Sequence, residues 1–313
     1  MANAPTPIPP APAPDSRLTG FLYGLGAFGF WGLTPIYFKA VGQVPALEVM
    51  AHRVVWAMLL MFALLLWKQR LRELSLELGN PRRLLFYAVT ALLVSTNWLI
   101  FIWAIQQNRL LEASLGYYIN PLVNVFLGML FLHERLNVRQ IVAVTLAAIG
   151  VLNLMLAHGT FPWIALALAF SFGFYGLLRK KARVDVMLGL TVETILLTPF
   201  ALAFLVLLGA NGAFGRANME TDLLLAAAGI VTAVPLLCFL QATQRLALST
   251  VGLMQYLAPT LNFLLAVLLY DEPFTLSHLI TFVCIWIALA IYSGDAFLTH
   301  RAHRAIQSTD AGQ

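Results

Sequence analysis

Long apolar stretches separated by short charged connections recur along the whole chain. They run over Thr19–Val41, Pro45–Trp67, Leu84–Gln107, Ala113–Leu132, Val138–Leu156, Phe161–Leu178, Met187–Leu208, Asp222–Gln244, Ser249–Tyr270 and Leu276–Phe297. A helix needs roughly 20 apolar residues to cross a bilayer. A segment such as Leu59-Leu60-Met61-Phe62-Ala63-Leu64-Leu65-Leu66 is apolar on every face, not alternating as a strand would be. The pattern predicts an all-α membrane protein of ten transmembrane helices.

The stretch Tyr117-Tyr118-Ile119-Asn120-Pro121-Leu122-Val123-Asn124 returns 138 residues later as Gln255-Tyr256-Leu257-Ala258-Pro259-Thr260-Leu261-Asn262. Both runs end near a glutamate, Glu134 and Glu272. Gly29-Phe30-Trp31-Gly32-Leu33 likewise matches Gly173-Phe174-Tyr175-Gly176-Leu177, at an offset of 144. Shared Pro, Asn, Tyr and Gly are not what apolar chains share by composition alone, so a duplication is expected. It divides the chain into a tail over 1–17, repeats over 18–158 and 159–298, and a cytoplasmic tail over 299–313. Five helices per copy is an odd number, so the second copy enters the membrane from the opposite face and the two five-helix repeats are inverted. Pro121 and Pro259 remove backbone donors in mid-run, and helix breaks are predicted at both. Interrupted segments at matching places of two halves mark binding sites in secondary transporters.

Composition sharpens the class. Of 313 residues, 60% are hydrophobic and 11% charged, and the mean hydropathy is +0.83, against about half apolar and a quarter charged in soluble domains. The net charge of +5 does not point to nucleic acid, because the basic residues sit in short loops. One set of loops holds Arg17, Lys68, Arg70, Arg72, Arg82, Arg83, Arg135, Arg139, Arg179, Lys180, Lys181, Arg183, Arg245, Arg301 and Arg304. The other holds Arg109 and Arg216. Fifteen against two, alternating loop by loop, orients both termini to the cytoplasm. Cys238 and Cys284 lie inside apolar runs, and neither a disulfide framework nor a metal site is indicated. Residues 1–15 carry six prolines and no basic residue, so they read as an extended tail and not a signal peptide.

Charged groups inside spans are costly, so each is a functional candidate, with pairing as the structural alternative. Lys39 and Glu48 are equidistant from the turn at Gln43-Val44, which predicts a pair at the outer interface. His52 lies four residues after Glu48, on the same face. Arg53 is about 12 Å below the outer end of its span. It offers a planar fork for a carboxylate or phosphate, or it neutralises a buried carboxylate or caps a carbonyl freed by proline. Glu193 stands 140 residues after Arg53 and could carry a proton or pair with that arginine. Asn120 and Gln255 flank the prolines. Tyr117, Tyr118 and Tyr256, with Trp98, are the aromatic residues placed to line a site, although aromatics are also common core fillers.

Gly29-Phe30-Trp31-Gly32-Leu33-Thr34-Pro35, Tyr37-Phe38-Lys39, Glu48, His52-Arg53, Asn97-Trp98, Tyr118-Ile119-Asn120-Pro121-Leu122 and His133-Glu134-Arg135 together resemble the RarD proteins of the EamA branch of the drug/metabolite transporter superfamily. The resemblance spans about Gly20 to Phe297 and excludes the Pro-rich leader. It implies a bacterial inner-membrane permease of ten helices in two inverted repeats and leaves the substrate open.

No G-x-x-x-x-G-K-[ST] loop holds nucleotide, so direct ATP drive is not expected. The expected function is secondary transport of a small amphipathic metabolite or drug between the fourth and ninth spans. Tyr117, Tyr118, Tyr256 and Trp98 would contact its apolar part, and Arg53, Asn120 or Gln255 its polar part. Glu193, with His52, would exchange a proton. No cofactor is expected. Besides the solute, the expected partners are membrane lipid and not nucleic acid, with a homodimer among the options. The alternatives are a non-transporting membrane partner or lipid scramblase, and an intramembrane enzyme, for which no H-E-x-x-H is present.

Overall fold

The computed structural model describes residues 14–132, 137–158, 161–182, 184–246, 254–288, 290–291 and 294. Glu134 and Arg135, the leader to residue 13 and the tail after 294 lie outside them. The described chain is helical: α1 Pro14–Ala40, α2 Ala46–Trp67, α3 Leu71–Leu78, α4 Pro81–Gln106, α5 Leu110–Leu132, α6 Val138–His158, α7 Trp163–Ala182, α8 Val186–Leu208, α9 Met219–Arg245 and α10 Leu257–Leu264. The last runs on as a π-helix over Leu265–Leu269, and α11 follows over Leu276–Ala288. Among the described residues, α2, α4, α8 and α9 are long and apolar enough to cross a membrane. Leu85, Val206, Leu207 and Leu268 point outward with most of their surface exposed, an arrangement suited to lipid and not to water.

Local chemistry sets the helix starts. Asn80 accepts from the backbone of Arg82 and Arg83 ahead of α4, with Pro81 in the first position where no donor is needed. Asp185 caps α8 through Leu188, and Asn218 caps α9 through Thr221. The short helix α3, not foreseen in the apolar pattern, is amphipathic and buries Leu74 against Met61, Leu65, Tyr87 and Leu188. Arg70 at its start grips both oxygens of Glu73, at 2.8 and 2.7 Å, which holds that exposed carboxyl below the usual range.

Prolines inside helices are handled differently. In α1, Pro35 deprives the carbonyl of Trp31 of its helical donor, and the Thr34 hydroxyl donates to that carbonyl at 2.7 Å. α5 continues through Pro121 without interruption, so the break expected there is not seen. Pro259 is the third residue of α10, after a turn at Gln255–Tyr256. In a first turn the missing donor leaves no helical bond unmade. The two prolines are therefore not structurally equivalent despite their matching sequence.

Taken in chain order with α3 left out, α1 and α7, α2 and α8, α4 and α9, α5 and α10, and α6 and α11 hold corresponding places in the two halves. The main packing contacts recur with the halves exchanged. α1 packs on α9 as α4 does on α7, α1 on α10 as α5 on α7, and α2 on α9 as α4 on α8. α2 meets α8 and α5 meets α10, each with its own counterpart. α6 and α11 cross at Gly150, where an added Cβ would lie 3.0 Å from Cβ of Cys284. There Thr281 donates to the Gly150 carbonyl at 2.8 Å and Asn153 to the Ser277 carbonyl at 3.1 Å. Small residues allow the other close approaches: a Cβ on Gly116 of α5 would lie 2.8 Å from the Ala165 carbonyl, and one on Gly229 of α9 2.6 Å from that of Trp56.

Candidate functional site

Arg53 lies on the inner face of α2 and is 7% exposed. Its Nε donates to the Thr232 hydroxyl of α9 at 2.9 Å, and that hydroxyl donates onward to the Ala228 carbonyl at 2.9 Å. The guanidinium carbon stands 4.1 Å from the ring centre of Trp98 on α4 and 5.7 Å from that of Phe38 on α1. Such cation–π contacts supply about 2 kcal/mol or more when desolvated. Among the described residues no carboxylate and no proline-freed carbonyl bonds to this guanidinium.

The aromatic surround is itself fixed by hydrogen bonds. Tyr117 of α5 donates to Oδ1 of Asn97 at 3.0 Å, and Nδ2 of Asn97 donates to the Leu168 carbonyl and the Ser171 hydroxyl of α7, each at 2.9 Å. Tyr37 of α1 donates to the Leu224 carbonyl of α9 at 2.8 Å. The cluster thus draws α1, α2, α4 and α5 from the first half and α7 and α9 from the second.

Tyr118 and His52 meet other neighbours. Tyr118 turns away from its neighbour Tyr117, shares a 2.7 Å hydrogen bond with Thr260, and meets Phe282 and Trp286 edge-on. Asn120 is fully buried on α5. Gln255 and Tyr256 are half-buried in the turn before α10. The Tyr256 carbonyl accepts from Thr260 at 2.7 Å. His52 faces Phe214, with ring centres 4.9 Å apart, beneath the connection from α8 to α9.

Glu193 is paired, but not with Arg53. Its partner is Arg179 of α7 at 3.2 Å, and Tyr175 donates to its other oxygen at 3.2 Å. Arg179, counted above as a loop cation, instead turns inward across Gly189, whose missing side chain leaves the guanidinium its place. The expected Lys39–Glu48 pair is also replaced. Lys39 donates to Asn108 and sits 5.0 Å over the Tyr270 ring, while Glu48 accepts from the Ala213 backbone at 2.6 Å. Rotation about the helix axes sends Lys39 and Glu48 each to another element.

Sequence reasoning passed over Tyr37, Phe38 and Thr232 as site components. Thr232 stands 179 residues from Arg53, and nothing local distinguishes it from the other hydroxyls of α9. The signal that was available is Arg53 itself, the basic residue placed too deep in its span for its head to reach water.

A family model described as the EamA-like transporter family matches residues 18–156 and again residues 162–294. An uncharacterized transporter of Vibrio cholerae is 51% identical over 91% of this chain and 96% of its own. Protein RarD of Escherichia coli is 47% identical over 92% and 98%. A chloramphenicol-sensitive protein RarD of Pseudomonas aeruginosa is 32% identical over 92% and 98%. A solved crystal structure shares the fold with a TM-score of 0.56 at 20% identity, covering 88% of this chain and 97% of its own.

Proposed function

The chain belongs to the EamA-like transporter family, among the RarD proteins, and from that premise we propose that this multi-pass membrane transporter is a secondary carrier working by alternating access around Arg53. In this reading it sits in a bacterial inner membrane with ten spans and both termini in the cytoplasm, and carries a small amphipathic solute. Two inverted five-helix repeats make the inward-open and outward-open states near mirror images, hence close in energy. Support comes from one family model matching twice, from helix contacts that recur with the halves exchanged, and from basic residues concentrated in alternate loops.

The observation that carries the reading is the buried guanidinium of Arg53, held by Thr232 and Trp98 where helices of both halves meet, with no carboxylate bonded to it among the described residues. A charge left uncompensated in low dielectric costs several kcal/mol, which a purely structural element has no reason to retain. A solute that completes the pair would recover that cost only when bound.

The test is solute flux into sealed vesicles containing the purified protein, with and without a pH gradient. The expected result is saturable flux that Arg53→Gln abolishes in protein that remains folded. Flux unaffected by that substitution, or lipid scrambling without solute flux, would overturn the reading.

A further inference from the structure

The donors around Arg53 narrow what can complete it. The Tyr117 proton is given to Asn97, the Tyr37 proton to the Leu224 carbonyl and the Thr232 proton to the Ala228 carbonyl. Nε of the guanidinium is taken by Thr232. Of these donors, only the two terminal nitrogens of Arg53 have no acceptor among the described residues. A ligand there must therefore accept, and the fork matches two oxygens in one plane.

Charge separates the candidate anions. Among the described residues Arg53 is the cation of this cluster, and the carboxylates Glu48 and Glu193 are engaged elsewhere, with Ala213 and with Arg179. A carboxylate brings the buried charge to zero. A phosphate dianion would leave a net negative charge beside Phe38 and Trp98, with no second cation among the described residues of the cluster to hold it. Phe38 and Trp98 lie against the guanidinium, and the apolar surface extends from Phe38 through Phe101 at 6.1 Å to Tyr117, which Phe101 meets edge-on at 5.4 Å. They favour a ligand whose body is apolar and of ring size.

We propose that the solute is a monoanionic carboxylate with an apolar, ring-sized body, its two oxygens received by the terminal nitrogens of Arg53. This rests on the transport reading for its consequence, though not for its chemistry. The anion carries one negative charge, so its uncoupled movement responds to membrane potential, and an interior-negative potential drives it outward.

Thermal unfolding of the full chain in detergent, with phenylacetate, 3-phenylpropionate and indole-3-acetate each beside its primary amide, and with phenylphosphate, tests the ligand class. At least one acid is expected to raise the Tm where its amide does not. Arg53→Gln should weaken that acid by about tenfold or more, with Arg53→Lys retaining part of the effect. The class is overturned if amides or phenylphosphate match the acids, if no acid stabilises the protein, or if Arg53→Lys and Arg53→Gln bind acid as the parent does. Vesicle flux of the same compounds separates the two readings. An acid that binds but does not cross sinks transport and leaves the ligand class. Amides that cross independently of Arg53 sink the ligand class and leave transport. Faster acid uptake under an interior-positive potential, without acceleration of amides, is the result expected of both together.

Discussion

The carboxylate of Glu272 accepts hydrogen bonds from the backbone N–H groups of Leu110 at 2.7 Å and of Leu111 at 2.8 Å, so the start of α5 is capped by a side chain from the other half of the molecule. First-turn donors have no helical acceptor, and an anion there is favoured by the helix dipole. Lys39, bonded to Asn108 and lying over Tyr270, closes the same end. Glu272→Ala leaves two buried donors unmet and is expected to cost about 1–3 kcal/mol, read as a lowered unfolding midpoint in detergent. Unchanged stability would mean that the cap contributes nothing.

Glu272 also sets a pH dependence with a definite sign. Burial raises its carboxyl above the usual range, more than the two backbone donors and Lys39 lower it. A group whose folded pKa is raised contributes stability present at low pH and lost as pH rises through that pKa. The parent protein should therefore gain stability on mild acidification relative to Glu272→Gln. Parallel Tm-against-pH curves for the two would contradict this.

Arg53 is expected to serve binding at the expense of the empty fold. Arg53→Met removes an uncompensated buried charge, so the ligand-free protein should be as stable as the parent or more so while flux is lost. A drop in unfolding free energy of more than about 2 kcal/mol would make Arg53 a structural residue instead.

The Glu193–Arg179 pair should behave in the opposite way. Arg179→Met strands a buried carboxylate and is expected to cost about 3–5 kcal/mol, most of it recovered when Glu193→Met is added, as a double-mutant cycle would measure. Glu193→Gln also tests proton coupling, because pH-dependent flux that survives this change excludes Glu193 as the proton carrier.

Close packing of α5 on α7 predicts a sharp response at Gly116. An added methyl would lie 2.8 Å from the Ala165 carbonyl and 3.1 Å from its Cα, both backbone atoms that cannot rotate aside. Gly116→Ala should destabilise the protein by about 1–3 kcal/mol in denaturant unfolding. Gly26→Ala, with open space at its Cβ, is the neutral control.

The apolar runs and the placement of Arg53 well inside one of them could be read from the chain because each depends on local order alone: a run's length sets whether it can span. Which groups meet could not be read in that way. Residue spacing places a side chain along a helix axis, whereas its partner is decided by the helix's rotation and by the neighbour packed against it. Tyr117 and Tyr118 therefore diverge to Asn97 and Thr260, and Glu193 finds Arg179 and not Arg53. Pro121 and Pro259, alike in sequence, differ because one falls within a continuous helix and the other in a first turn. Sequence by itself determined a helical membrane chain with a cation well inside an apolar run. Only tertiary packing decided that the cation would be left without a carboxylate among the described residues, since charge balance in a bilayer depends on which helix faces are brought together.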